Sequence, residues 1–238
     1  MAGFPHLQQT TKLLADHSRL EILTLLMDGR FHTVHELAKK AKIKDHTASY
    51  HIKKLHSLDW VMSYKQGRNV YYRLSSLEIA DLLENLMVVS PVKPIKSFNE
   101  NKEYSELKAG RSCYRHLAGV IGVVFFNFLL HNNYLVMENH HVELTEEGVC
   151  YFKDLGIDID ALKKQSGVLV KPCLDWTERT FHLGGNLGNA FFRWCKEKEY
   201  ITLNPENRGV RLIAEGNLFF KNLNRANRKV VSNTIKRL

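Results

Sequence analysis

Apolar residues recur at helical spacing through the start of the chain. Leu13, Leu14, Leu20, Ile22, Leu23, Leu25 and Leu26 lie in a run from Leu7 to Met27 that Asp16-His17-Ser18-Arg19 interrupts. The period predicts helix, and the polar break predicts a short helix, a corner and a second helix capped near Asp16 or Ser18. Asp28-Gly29-Arg30 ends that helix. Thr33, with Glu36 three residues on, is a capping box. Val34, Leu37, Ala38 and Ala41 form the buried stripe of a third helix. After a tight turn at Ile43-Lys44, Asp45 is read as the N-cap of a fourth helix, anchored by Ala48, Ile52, Leu55 and Leu58. The period then changes. Trp60-Val61-Met62 and Val70-Tyr71-Tyr72-Arg73-Leu74 are strand-like runs, joined by a turn over 64–69 that holds Gly67 and two cations. Leu77 to Val89 returns to helical spacing with a broad apolar face, which suits either a dimer helix or simple core packing.

Ser90-Pro91-Val92-Lys93-Pro94 and the polar residues after it read as a linker, residues 91–105. Beyond it the pattern repeats. His116 to Leu135 matches His182 to Ile201 at an offset of 66: His116 with His182, Gly119 with Gly185, Gly122 with Gly188, Phe125-Phe126 with Phe191-Phe192, and Tyr134 with Tyr200. Past a two-residue insertion, Leu144-Thr145-Glu146-Glu147-Gly148 matches Leu212-Ile213-Ala214-Glu215-Gly216. Each unit is predicted as helix, short hairpin, helix, with a pseudo-two-fold axis between the two and the glycines allowing close helix approach.

Composition narrows the function. The chain has 238 residues, 44% of them apolar, enough for a packed core in two domains. Net charge is +9, which favours a polyanionic partner. Residues 1–90 hold twelve Lys/Arg and nine Asp/Glu, and residues 221–238 hold six Lys/Arg and no acid, a basic tail. Four cysteines without a CxxC pair do not make a disulfide framework. No apolar run is long enough to span a bilayer, and the start has no leader pattern, so a cytoplasmic protein without a membrane partner is expected. GxSxG, P-loop and HExxH patterns are absent, and no enzyme is expected. His140-His141 is read as a solvated pair.

The fourth helix and the hairpin after it carry the clearest chemistry. His46, Thr47, Ser49, Tyr50 and His51 offer donors and acceptors for base edges, and Lys53 and Lys54 for phosphate. Lys65, Gln66, Arg68 and Asn69 form a basic tip for the backbone or minor groove. A polar helix beside a basic hairpin suits a major groove flanked by phosphates.

Several of these stretches resemble ArsR-type winged-helix transcription regulators: Ala15-Asp16-His17-Ser18-Arg19-Leu20-Glu21-Ile22-Leu23, His35-Glu36-Leu37-Ala38, Thr47-Ala48-Ser49-Tyr50-His51-Ile52-Lys53 and Val70-Tyr71-Tyr72-Arg73-Leu74. The resemblance covers residues 7–88 and looks like a long form with an extra C-terminal domain. It implies a homodimer on palindromic double-stranded DNA, usually a repressor, released or tightened by a ligand. Metal-sensing members often carry paired cysteines on the helix before the reader, or His and Asp ligands on the last helix. Here Thr33 to Ala38 has no cysteine, and the last helix offers Glu78, Asp81 and Glu84 but no histidine. The signal is therefore expected to enter through the second half.

Three readings of that half stay open. Cys113, His116, Cys173 and His182 suit zinc or another soft metal. Alternatively they are two small buried hydrophobes and two bracing imidazoles, which their unequal spacing favours. In the metal reading Cys113 and His116 lie one helical turn apart. A redox pair, Cys113 with Cys173 beside Arg111, Arg115 and Arg179, ranks below the metal site. Tyr114, Phe125, Phe126, Trp176, Phe191, Phe192 and Trp194 line a small-molecule effector or inducer pocket, or are ordinary core.

The expected fold class is mainly α with small β-hairpins (α+β). Residues 1–90 are a winged helix-turn-helix for DNA binding and dimerisation, and residues 106–238 a duplicated, winged-helix-like effector-sensing domain with repeats over 113–165 and 173–225. The expected function is a sequence-specific, homodimeric repressor. The alternative is a protein-interaction or redox/metal-sensing module whose winged helix does not read DNA specifically.

Overall fold

A computed structural model of the chain describes residue 4, residues 6–139 and residues 141–223, so the basic tail beyond 223 and His140 lie outside the described residues. The chain separates into two compact units at Glu84 and Asn85.

The first unit opens with α1 (Leu7–Leu14) and α2 (His17–Leu26). Their corner falls at Asp16, whose carboxylate accepts from the Arg19 amide at 2.9 Å and satisfies a free donor of the first turn. The expected capping box of Thr33 and Glu36 starts α3 (Val34–Lys40). α4 (Asp45–His56) follows after a short turn. Asp45 is not its N-cap. Lys44 takes that place without a side-chain bond, and Asp45 sits one residue in, with its carboxylate 2.9 Å from His35 Nδ1. There it still faces the positive end of the helix dipole.

β2 (Val61–Gln66) and β3 (Asn69–Leu74) pair antiparallel from Val61↔Leu74 to Gln66↔Asn69. Polar Tyr64, Lys65 and Gln66 continue the ladder past the apolar run, so the turn is only Gly67 and Arg68. Gly67 has φ +59°, as the first position of a tight hairpin turn requires. The sheet has three strands rather than two. β1 (His32–Thr33) joins the far edge of β3 in the order β1-β3-β2; two residues are too few to show an alternation. α5 (Leu77–Val89) follows. Leu13, Ile22, Leu23, Leu26, Leu37, Ile52 and Leu55 are fully buried, each contributing about 1.5–3 kcal/mol.

Residues 91–105 are not a continuous linker. Ser97 caps α6 (Phe98–Ala109), accepting from the Glu100 amide. None of its residues is buried, which is why its composition reads as linker. Then comes β4 (Arg111–Cys113), β5 (His116–Ala118), α7 (Val120–His131), β6 (Leu135–Glu138), β7 (His141–Leu144) and α8 (Glu146–Asp154). After α9 (Ile159–Lys163) the order hairpin, helix, hairpin, helix occurs again: β8 (Lys171–Leu174), β9 (Phe181–Gly184), α10 (Gly185–Glu197), β10 (Ile201–Leu203), β11 (Val210–Leu212) and helical residues 214–223. Each run thus begins with a hairpin, not with the helix expected.

Matched positions share backbone geometry. Gly119 and Gly185 have φ +74° and +77°, Asn133 and Glu199 +56° and +53°. Phe125 of α7 stacks on Phe191 of α10 with ring centroids 3.6 Å apart, inside one large core. The glycines that were expected to bring helices together instead bring each helix onto its own hairpin. A Cβ at Gly122 would lie 2.2 Å from the Leu117 carbonyl oxygen, and one at Gly188 would lie 2.3 Å from that of Leu183.

This packing gives a test. Alanine in place of Gly188 gains about 1 kcal/mol of helix propensity. Collision with a backbone carbonyl outweighs that gain, since overpacking typically costs about 1–3 kcal/mol. Gly188→Ala is expected to lower the denaturation midpoint of the full chain; an equal or higher midpoint contradicts the packing.

Candidate functional site

α4 is held by one face and leaves the other open. Ala48, Ile52 and Leu55 are buried in the first unit. On the opposite side His46, Tyr50, Lys53 and Lys54 are exposed, Tyr50 by 61%, while Thr47 and Ser49 are half-buried. Lys42 in the left-handed region (φ +54°) and the Ile43 amide on the Ala38 carbonyl make the sharp turn between α3 and α4. At the far end of α4, His56 Nε2 lies 3.2 Å from Ser63 Oγ of β2, and its ring meets Tyr72 of β3 edge-on. These contacts fix the hairpin relative to the helix. Lys65, Gln66, Arg68 and Asn69 are all exposed at its tip.

His51 departs from expectation. It is only 5% exposed, with Nδ1 3.5 Å from Arg19 Nη1 and Nε2 3.6 Å from Asp16 Oδ1. Arg19 in turn donates to the Leu13 and Lys12 carbonyls at the end of α1. His51 is therefore a brace among α1, α2 and α4, not a group that can reach a base edge. Burial lowers its pKa, and Arg19 and Lys54 add to this while Asp16 opposes it. The sequence did carry the signal: residues 48, 51, 52 and 55 follow the i, i+3, i+4, i+7 spacing of one buried stripe.

In the second unit, Cys113, His116, Cys173 and His182 converge, with their ligand atoms all within 4.8 Å of one another. Cys113 and His116 face each other across β4–β5, not along a helical turn, and Cys173 and His182 face each other across β8–β9. The unequal spacing is only a difference in loop length between two equivalent cross-strand pairs. Cys113 Sγ and Cys173 Sγ are 3.8 Å apart, and all four cysteines are free thiols. The imidazoles of His116 and His182 lie 6.1 Å apart.

Asp175 supports this cluster. It is fully buried. Its Oδ1 lies 2.9 Å from Arg111 Nη2 as an ion pair and accepts from the Thr177 hydroxyl and the Thr177 and Glu178 amides. Its Oδ2 accepts from the Gly119 amide at 2.7 Å and lies 3.4 Å from His182 Nδ1. Burial works against the carboxylate, but His182, Arg111 and Gly119 hold its pKa far below the usual range. Burial also works against a cationic His182, yet Asp175 and Cys113 push it up to about 9; burial, then His182 and Lys171, push His116 down to about 3.

The remaining candidates separate. Arg111 stacks over Trp176 and pairs with Asp175, Arg115 stacks over Tyr114, and Cys113 and Cys173 are both buried. Phe125, Phe126, Phe191, Phe192 and Trp194 belong to the core cluster, while Tyr114 and Trp176 lie outside it. With Phe125 and Phe191 in direct contact, the seven aromatics are not gathered around one cavity. His141 is exposed near Glu143.

Residues 16–62 match the family model described as bacterial regulatory protein, arsR family. The chain is 38% identical over 221 residues to a protein of Bacillus subtilis (strain 168) described as an uncharacterized HTH-type transcriptional regulator, YdfF; the match covers 92% of this chain and 98% of that one. It is 31% identical over 88 residues to the arsenical resistance operon repressor of Staphylococcus aureus, covering 37% of this chain and 84% of that one. Among solved structures, the homodimeric winged helix-turn-helix DNA-binding domain of Mb0332 from Mycobacterium bovis is similar at 31% identity and TM-score 0.32, over 37% of this chain and 89% of that one.

Two substitutions on α4 separate brace from surface. His51→Ala is expected to destabilise the chain by about 1–3 kcal/mol, and Tyr50→Ala to stay within about 0.5 kcal/mol of the parent. Chemical denaturation checks both, and equal effects would show that His51 is not a brace.

Proposed function

Because the chain belongs to the ArsR family of bacterial regulatory proteins, we propose that it is a homodimeric repressor that reads a palindromic operator with α4 and the β2–β3 hairpin. One observation carries this reading: an open polar face on α4 and an open basic hairpin tip are held to each other by His56, Ser63 and Tyr72. His46, Thr47, Ser49 and Tyr50 meet base edges, and Lys53 and Lys54 meet phosphate. Lys65, Gln66, Arg68 and Asn69 follow the backbone beside the groove. His51 is left out of the DNA-reading group.

Self-association is supported by the apolar residues that α5 leaves in water. Leu77, Leu82 and Val89 are exposed, Val89 by 77%. A second copy laid against α5 removes that surface from water and sets two α4 helices on successive groove faces. The second unit is read as a duplication, since matched residues share backbone angles and Phe125 meets its counterpart Phe191. Because α3 has no cysteine and α5 no histidine, the controlling signal enters through that unit. Among the described residues no helix is long and apolar enough to cross a membrane.

Binding of labelled DNA from the chain's own upstream region, against random DNA at a fixed moderate salt, tests the reading. A preference of about 10³-fold or more is expected. Equal affinity for both would instead favour a module whose winged helix does not read sequence. Replacing Lys65 or Arg68 by alanine is expected to weaken binding on every sequence and to reduce the salt slope by about 0.9 for each phosphate left unneutralised. Ser49→Ala or Tyr50→Ala is expected to relax preference at one base position, reducing discrimination there by about 1–3 kcal/mol.

A further inference from the structure

We propose that Cys113, His116, Cys173 and His182 bind one zinc ion in a closed tetrahedral site that clamps β4–β5 to β8–β9. The inference stands apart from the DNA-reading proposal, because its readouts do not involve DNA.

The geometry comes first. Zinc bound to two thiolates at about 2.3 Å in a tetrahedron sets the sulfurs about 3.8 Å apart. The two sulfurs are 3.8 Å apart here. That is far beyond the roughly 2.05 Å of a disulfide. All four ligand atoms lie within 4.8 Å of one another, so closing on an ion needs a contraction of about 1.5 Å at most. Each hairpin supplies one thiolate and one imidazole as direct cross-strand partners. Two sulfurs and two nitrogens in a tetrahedron are the donor set that suits zinc.

Burial points the same way. The four residues are 2%, 6%, 8% and 0% exposed in chain order. His116 Nδ1 is buried without a hydrogen-bond partner, and His182 Nδ1 has Asp175 at 3.4 Å. Leaving a buried ring nitrogen unsatisfied costs about 1–3 kcal/mol, and plain bracing gives His116 Nδ1 no partner. Asp175 Oδ2, 3.4 Å from His182 Nδ1, leaves Nε2 to face the ion. A carboxylate behind a ligating imidazole is the usual outer support of a zinc site. The charges also balance. Two thiolates offset the zinc charge, and Arg111 offsets Asp175. Loading releases one proton from each thiol and the proton held on His182, because zinc takes thiolates and neutral imidazoles. With all four positions filled by protein, the site is structural rather than catalytic.

The ligands are also held crosswise. A Cβ at Gly184 would lie 3.2 Å from the His116 ring, one at Gly188 3.4 Å from it, and one at Gly122 3.4 Å from His182 Cβ. The His116 ring and the His182 Cβ thus each pack against a glycine of the opposite run.

The test uses the full chain, purified reduced and without chelator. Elemental analysis is expected to find about one zinc per chain, with four ligands closing the site. After chelation, reloading with cobalt(II) is expected to give thiolate-to-metal charge-transfer absorption and the intense visible bands of tetrahedral cobalt. Cys113→Ser and Cys173→Ser are each expected to lose the metal, and Cys150→Ser, at an exposed position, to keep it. Asp175→Asn is expected to weaken zinc binding about 10–100-fold. Should a variant fail to fold, the parent chain still decides. If the reduced parent takes up no zinc, if zinc leaves its thermal midpoint unmoved, or if cobalt shows no thiolate band, the site is overturned. Uptake that survives Cys113→Ser in a folded variant overturns it as well.

Discussion

The second unit depends on one buried carboxylate. Asp175 has no contact with solvent, and a lone charge there would be unsustainable without a partner. Arg111 supplies the opposite charge from β4, and the Gly119 amide supplies a donor from the entry to α7. The Thr177 hydroxyl and the amides of residues 177 and 178 supply the rest from the β8–β9 loop. One side chain therefore ties the first hairpin and its helix to the second hairpin. That helps short strands, two to a sheet among the described residues of this unit, hold a fixed arrangement beside the backbone bridge between Arg111 and Gly209. Breaking such a pair from one side is far more damaging than its net contribution suggests, because the partner charge stays buried.

The first unit uses a similar device with weaker partners. Arg19 caps the end of α1 through two carbonyls and lies against His51, while Asp16 both caps α2 and faces the same ring. α4 is thereby fixed from beneath, with its polar face open. A reader fixed in advance loses less side-chain and backbone freedom on binding.

Much of this was legible in the sequence, and the failures share a cause. The helices, the Thr33 capping box and the hairpin after α4 are local features, and local spacing reports them. The readings that failed needed information about partners. Asp45 looked like an N-cap because Asp often is one, but His35 draws it one residue into the helix. Residues 98–105 looked like linker because a helix with no buried residue has linker composition. β1 was missed because its only evidence is the neighbour it pairs with. The convergence of the four cysteine and histidine residues was hidden because two loops of different length mask an identical cross-strand pairing. His51 is the exception, since its place on the Ala48–Leu55 stripe was already visible.

The proposed two-fold reader of DNA rests on family membership, the open face of α4 and the exposed apolar residues of α5. Footprinting on the chain's own upstream region tests that most directly. The expected result is two protected half-sites related by a two-fold axis, their centres about 10–10.5 base pairs or a multiple of that apart. A single unpaired footprint would contradict the two-fold reader, and uniform protection that follows concentration without sequence preference would contradict sequence reading altogether.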